Sequence, residues 1–385
     1  MRSPWFARPG AVPGPADAQP TAEPQPDAAS GVPWPDVDSG VPWHYGDPMR
    51  EQRRLLEGAA VTDLSQRGLL TVTGPERLSW LHSLTTQHLE NLPPGESAET
   101  LILSPHGHVE HSLHVVDDGE TTWLSVEGGA AQAILEWLQG MRFRIKVQVA
   151  DVSADWAAIG AVLAPGAEPP PALAAALAAG GSTPDGAAPP SWQDPWPAPG
   201  PDTGVYTDVA EHPGVHRPWR EIWVARADLP AIAERLEPAG SWAAEALRVA
   251  AWRPREGREV DHRTLPHEAD WLRSALHLNK GCYRGQETVS RVYRVGRPPR
   301  RLALLHLDGS EHVLPERGAE VFVQGEPQQN GADGAAARSI GTVTSAVLHF
   351  ELGPIALALL KRNVPVDAAL RVDSIPAAQE VVVQP

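Results

Sequence analysis

The densest chemistry in the chain lies in Asn279-Lys280-Gly281-Cys282-Tyr283-Arg284-Gly285-Gln286-Glu287. This stretch holds the single cysteine and one of only three lysines; the other two are Lys146 and Lys361. Abundant Ala, Gly and Pro with scarce lysine are the mark of a GC-rich coding sequence, in which Lys and Cys are the residues drift removes. Lys280 and Cys282 two apart are therefore informative, with chance proximity as the alternative. Gly281 and Gly285 signal a tight backbone turn. Residues 288–294 suit a helix with Val289, Val292 and Tyr293 on one face. A thiol just ahead of a helix N-terminus, flanked by Lys280 and Arg284, has its thiolate favoured by the cations and by the helix dipole. That describes a reactive or ligand-binding thiol; an inert packed cysteine is the competing account.

Length and charge bound the rest. The 385 residues suit two to three domains. A net charge of −16 argues against a general nucleic-acid binder, which needs a basic surface for phosphates. One cysteine excludes an intramolecular disulfide framework and any self-contained Cys-ligated zinc or iron–sulfur site. No apolar run approaches the roughly 18 residues of a membrane helix, and residues 1–10 lack the apolar core of a signal peptide. The expectation is a soluble, cytoplasmic protein without membrane or direct nucleic-acid partners.

Residues 1–48 read as a disordered Pro-rich tail in which Ser-Gly-Val-Pro-Trp occurs at 30–34 and again at 39–43. Residues 49–297 read as a mixed α/β body. Strands are expected at 69–73, 100–104, 108–116 and 121–126, with a helix opening at Pro75 and another at 130–141. Residues 142–149 alternate, with Phe143, Ile145, Val147 and Val149 inward and a basic row outward. The Ala/Pro/Gly-rich stretch 164–204 reads as a flexible low-complexity insertion. A strand at 219–225 and helices near 228–236 and 242–252 follow. Residues 298–385 show short strands without helices, at 302–307, 320–324, 340–348, 355–361 and 380–383, the pattern of a small antiparallel β-barrel.

Lys-Gly-Cys-Tyr-x-Gly-Gln-Glu at 280–287 resembles the signature of the YgfZ-type folate-binding proteins. These are relatives of the glycine-cleavage T-protein, an aminomethyltransferase, and of the mitochondrial factor that helps make 4Fe–4S proteins. The likeness extends to Val72-Thr73-Gly74-Pro75-Glu76-Arg77 with Trp80-Leu81, to Leu265-Pro266-His267-Glu268, to Gly296-Arg297-Pro298-Pro299-Arg300, and to Gly341-Thr342-Val343-Thr344-Ser345 with Gly353-Pro354. Together these span residues 50–372 outside the insertion. The resemblance implies an α+β fold: a T-protein-like, GcvT-like body of mixed α/β subdomains in a ring around a central cavity, with a C-terminal antiparallel barrel. It also implies tetrahydrofolate in that cavity.

On this resemblance Cys282 is the functional thiol, assisted by Lys280, with Gly281, Arg284, Gly285, Gln286 and Glu287 completing the motif. Glu268 is the candidate for the pterin edge, where a carboxylate accepts from two N–H groups, and Trp271 and Tyr283 are candidate ring contacts. The transferases carry an Asp-Asp pair after a glycine. Here Gly107-His108-Val109-Glu110-His111 replaces it with Glu110-His111, which resembles the YgfZ branch and leaves Glu110 as the candidate acid at the folate. The implied role is an accessory factor, binding reduced folate, for assembly or repair of 4Fe–4S client proteins, among them methylthiotransferases that modify tRNA. The alternative is a tetrahydrofolate-dependent aminomethyl or one-carbon transferase or demethylase, so enzyme status stays open. His106, His108, His111 and His114 are expected to be exposed hairpin histidines; no resident metal is expected.

Overall fold

The computed structural model describes residues 2–14, 38–180, 189–294, 296–310, 313–325 and 338–384. Two five-stranded sheets and a closed six-stranded barrel account for nearly all strands. The first sheet runs in the order Ser97–Leu103, Val109–Asp117, Thr121–Val126, Gly68–Thr73, Gln148–Asp151, all antiparallel. Its apolar face, including Leu70, Val72, Leu113, Val115 and Leu124, packs on helices Arg77–Leu84 and Ala131–Gly140 through Trp80, Leu81, Ile134 and Leu138.

The second sheet runs Ser191–Gln193, Trp219–Ala225, Trp156–Val162, Val61–Asp63, Pro238–Ala239; only the last pair is parallel. One face is closed by Leu229–Arg235 and Pro171–Gly180. The other packs on the first sheet: Trp192, Trp219 and Trp223 join Leu69 and Val116 in one apolar cluster. Helix Ser241–Ala250 bridges this body to the barrel, where Ala246 and Val249 meet Leu302, Val347 and Leu357. The barrel closes in the order Arg300–Leu307, Gly353–Lys361, Gly341–His349, Glu320–Val323, Leu370–Val372, Ile375–Val381. The expected fold class therefore holds, and the strand Leu370–Val372, too short to stand out, was absent from the sequence pattern.

Four expectations change. The leader is not a uniform disordered tail at its described ends. Residues Pro4–Ala7 form a 3-10 helix whose Trp5 is fully buried in the second sheet's core, and Ser3 bonds Asp63. Its far end is held as well: Trp43 stacks on Trp242 at 5.5 Å. One tryptophan buries enough apolar area to anchor a proline-rich segment. The copy of the repeat at 30–34 lies outside the described residues. The insertion is likewise not a plain loop, because Pro171–Gly180 is helical and Trp192 and Trp196 are core residues.

The 142–149 strand survives only as Gln148–Asp151: Arg144 takes a left-handed φ of 58° and Phe143 is 79% exposed. The 77–84 helix starts two residues after Pro75, because Gly74 takes φ 111° and any β-carbon there would lie 2.2 Å from the Lys146 carbonyl.

Candidate functional site

Strand register builds a polar row inside an apolar frame. Glu99 pairs across to His114, and His114 to Ser125, so three neighbouring strands of the first sheet present them on one face. From the second sheet, Trp192 pairs across to Glu221. The His114 ring stacks flat on Trp192, centroids 3.6 Å apart, and its Nδ1 lies 3.0 Å from Glu221. The two rows, with helix Ser241–Ala250 and the segment after it, line a narrow cleft that opens to solvent.

Arginines within and after that helix, with Arg67, neutralise the acids. Arg253 bonds Glu99 at 2.7 Å and Asp194 at 3.1 Å. Arg255 is bidentate on Glu127 at 3.0 Å and reaches Asp38 of the leader at 3.0 Å. Arg67 bonds Glu127 at 2.7 Å, and Arg248 spans Glu245 at 2.6 Å and Glu259 at 2.8 Å. Burial raises the Glu127 carboxyl, but Arg255 and Arg67 outweigh it and hold it at about 2. Glu221 and Glu245 are driven lower still by the same balance, with Arg67 and Arg248 as their main cations. Trp271 also lines this cleft, its indole N–H donating to Glu99 at 2.8 Å.

Three buried polar atoms on cleft-lining residues have no partner among the described residues: Arg217 Nε, Arg253 Nη1 and Ser241 Oγ. Unpaired buried donors are costly, so they favour a ligand that brings acceptors. Carboxylate and pterin carbonyl oxygens are such acceptors, and Trp192, Trp219 and Trp271 offer aromatic surface. These residues fit a reduced folate. The folate-branch acids of the sequence analysis fit less well. Glu268 is fully buried and committed: it accepts from Leu265 N at 3.1 Å, from Arg300 Nη2 at 2.8 Å and from Arg300 Nε at 3.1 Å. With both oxygens occupied it has no free face for a pterin, which corrects the role expected for it. Glu110 is paired with Arg284 at 2.9 Å and lines no part of the cleft.

The signature loop lies elsewhere. Lys280 is buried; its ammonium donates to the main-chain carbonyls of His82, Thr85 and Gln87, the last at 3.0 Å, and sits 5.4 Å from the Tyr283 ring. Burial pulls the Lys280 amine down to about 8. Tyr283 is itself buried, among Trp196, Trp271, Leu272 and Val289, and burial pushes its hydroxyl well above the ordinary phenol range.

Cys282 is exposed, and no hydrogen bond reaches its sulfur among the described residues. Lys280 and Arg284 spend their charges on carbonyls and on Glu110, not on the thiol as the sequence suggested. Helix Gln286–Arg294 follows as expected, with Val289 buried and Glu287 exposed. Gly285 is required where it stands: φ is 82°, and a β-carbon would lie 2.6 Å from the Ser104 carbonyl and 2.8 Å from the Gly107 α-carbon. The loop is thereby locked to the 105–107 turn, with Gly281 exposed beside Cys282.

The candidate residues thus fall in three places. Trp271 belongs to the cleft; Lys280, Cys282, Tyr283, Arg284 and Glu110 to the signature loop; Glu268 to a clamp with Arg300. The sequence analysis missed the arginines 248, 253 and 255. It also missed Glu99 and Glu221, each the one acid in its strand. Two histidines expected on the surface are drawn in, His114 by Trp192 and His111 by Glu256 at 2.8 Å.

Residues 39–168 match the GCVT N-terminal domain family. The chain is 28% identical over 278 residues to "Putative transferase At1g60990, chloroplastic" of Arabidopsis thaliana, covering 70% of this chain and 60% of that protein. It is 28% identical over 298 residues to the aminomethyltransferase of Symbiobacterium thermophilum, covering 73% and 76%. Among solved structures, the glycine cleavage system aminomethyltransferase T from Bartonella henselae superposes with a TM-score of 0.67 at 19% identity, covering 100% of this chain and 97% of that one. Among the described residues, no helix is long and apolar enough to cross a membrane.

Proposed function

Starting from a chain with a GCVT N-terminal domain match and a T-protein-like, aminomethyltransferase-like fold over its whole length, we propose that it binds tetrahydrofolate in the central cleft. We propose further that it serves as an accessory factor in assembly or repair of 4Fe–4S proteins, with Cys282 as the acting thiol. The observation that carries the folate reading is the set of unpaired donors, Arg217 Nε, Arg253 Nη1 and Ser241 Oγ, on residues that line that cleft. Arg217 and Arg253 suit the ligand's carboxylates or pterin carbonyl, and the tryptophans suit its rings. Folate would supply one-carbon carrier chemistry; the chain's own residues would bind and orient it.

The Cys282 role is supported by accessibility. The only thiol is exposed on a loop that Lys280 and Gly285 hold rigid, so it is available to a client protein or a small thiol rather than to the cleft. A single thiolate cannot hold a cluster alone, so cluster contact is transient and shared. The transferase alternative draws on the names of the relatives, but Glu110, the acid expected to serve it, is engaged with Arg284 and lies outside the cleft.

The test is complementation. In a strain lacking the gene, activity of 4Fe–4S enzymes should be restored by the wild-type chain and not by Cys282→Ser. That variant should remain folded, since an exposed substitution costs within about 0.5 kcal/mol. Full restoration by Cys282→Ser refutes the thiol's role. Turnover of a methylamine donor with tetrahydrofolate would instead favour the transferase.

A further inference from the structure

The geometry points to a divalent transition-metal site beside the segment that leads into the signature loop, formed by His82, His88 and Glu90. Donor atoms of His82, His88 and Glu90 all lie within 4.8 Å of one another. The His82 and His88 rings are 4.7 Å apart, and His277 brings a third imidazole 5.3 Å from His88. A tetrahedral Zn²⁺ with bonds of ~2.0–2.1 Å needs donors about 3.3 Å apart, a closure that side-chain rotation supplies in a half-exposed cluster. Imidazoles with one carboxylate are the donor set of a borderline ion such as Zn²⁺, and not that of Mg²⁺ or Ca²⁺.

The ligands and the neighbouring His277 come from two segments that are stitched together. Thr86 Oγ1 donates to the Ala275 carbonyl at 2.6 Å, Gln87 Nε2 to the Ser274 carbonyl at 2.9 Å, and His277 N–H to the Thr86 carbonyl at 3.1 Å. Lys280 adds its ammonium, bonded to the carbonyls of His82, Thr85 and Gln87. The backbone is therefore preorganised, and only side chains need move.

His82 Nδ1 accepts a long 3.3 Å bond from the Leu89 N–H. Coordination through Nδ1 replaces that bond; coordination through Nε2 shifts the ring proton to Nδ1 and forgoes it. His277 is oriented in turn, its Nδ1 accepting from Asn279 N–H at 3.2 Å and its Nε2 facing Asp202 at 3.6 Å. Because Lys280 fixes both this cluster and the loop bearing Cys282, a bound ion would stiffen that loop.

The test uses the untagged full chain titrated with Zn²⁺ against a chromogenic chelator. One tight site per chain is expected, weakened at least about tenfold by His82→Ala or His88→Ala. His106→Ala, at an exposed turn, should leave it unchanged. Circular dichroism checks that the variants fold. X-ray absorption of the wild-type chain with Zn²⁺ is the second measurement, expected to show imidazole ligands. Wild-type affinity in His88→Ala, no zinc binding by the wild-type chain, or an all-oxygen ligand shell would each overturn the site.

Discussion

Asp38 of the leader lies 3.0 Å from Arg255 at the edge of the central cleft, and its other oxygen lies 3.0 Å from Arg258. A carboxylate from outside the body thus holds two cations at a place where an anionic ligand tail would seek them. Arg255 retains Glu127 and Glu245 when Asp38 is removed, so the fold should survive.

Asp38→Ala is therefore expected to tighten tetrahydrofolate binding by about tenfold, equivalent to roughly 1.4 kcal/mol. Calorimetry on the wild-type and variant chains measures it. Equal or weaker affinity in the variant would show that the leader carboxylate does not compete for the cleft.

Trp5 gives the leader a structural role that its composition conceals. Its side chain is fully buried against Val61, Ile159 and Ile232. Trp5→Ala should cost about 3–5 kcal/mol in a denaturant titration. A change below about 0.5 kcal/mol would return these residues to the status of a dispensable tail.

Arg300 and Glu268 pin the start of the barrel to the body. Arg300→Ala leaves the fully buried Glu268 carboxylate without its cation, at an expected cost of about 3–5 kcal/mol. The double variant Glu268→Gln with Arg300→Met should recover part of that loss, because the fully buried charge is gone and Asp261, the arginine's other partner at 2.6 Å, is partly exposed. Equal destabilisation in both, by chemical denaturation, would locate the effect in packing instead.

The cleft's ion pairs make the fold acid-labile. In the folded chain Glu127 holds its proton only below about 2, against 4.5 for an ordinary glutamate. The unfolded chain therefore binds more protons between these values, and stability must fall as pH drops. The contribution is complete above about pH 4.5 and is lost on descent toward pH 2. Thermal melts across this window should show a steady decline in Tm. A flat profile would mean that Glu127, Glu221 and Glu245 bind protons alike in the folded and unfolded chain.

Much of the architecture was legible because it rests on local pattern. Strand 219–225 and four of the six barrel strands could be placed from alternation and apolar runs, and helix 286–294 from its glycine-rich entry, whereas Leu370–Val372 left no signal and the strand expected at 380–383 runs Ile375–Val381. The cleft was not legible. Its arginines and acids meet through strand register and through a helix that crosses three units, relations that no window of sequence contains. Glu268 was misplaced for the same reason: its spacing from the cysteine motif was visible, whereas Arg300 folding back onto it was not. The leader misled because low apolar content was averaged over 48 residues, while Trp5, Trp43 and Asp38 do the anchoring.

Titration of tetrahydrofolate into the full-length wild-type chain, followed by calorimetry and by tryptophan fluorescence, tests the central claim most directly. Trp192, Trp219 and Trp271 line the cleft, so occupancy should change their emission in step with the heat. The expected result is one saturable site per chain with both signals giving the same affinity. Absence of binding at millimolar folate by folded protein, or heat with no change in emission, would contradict a folate site in the cleft.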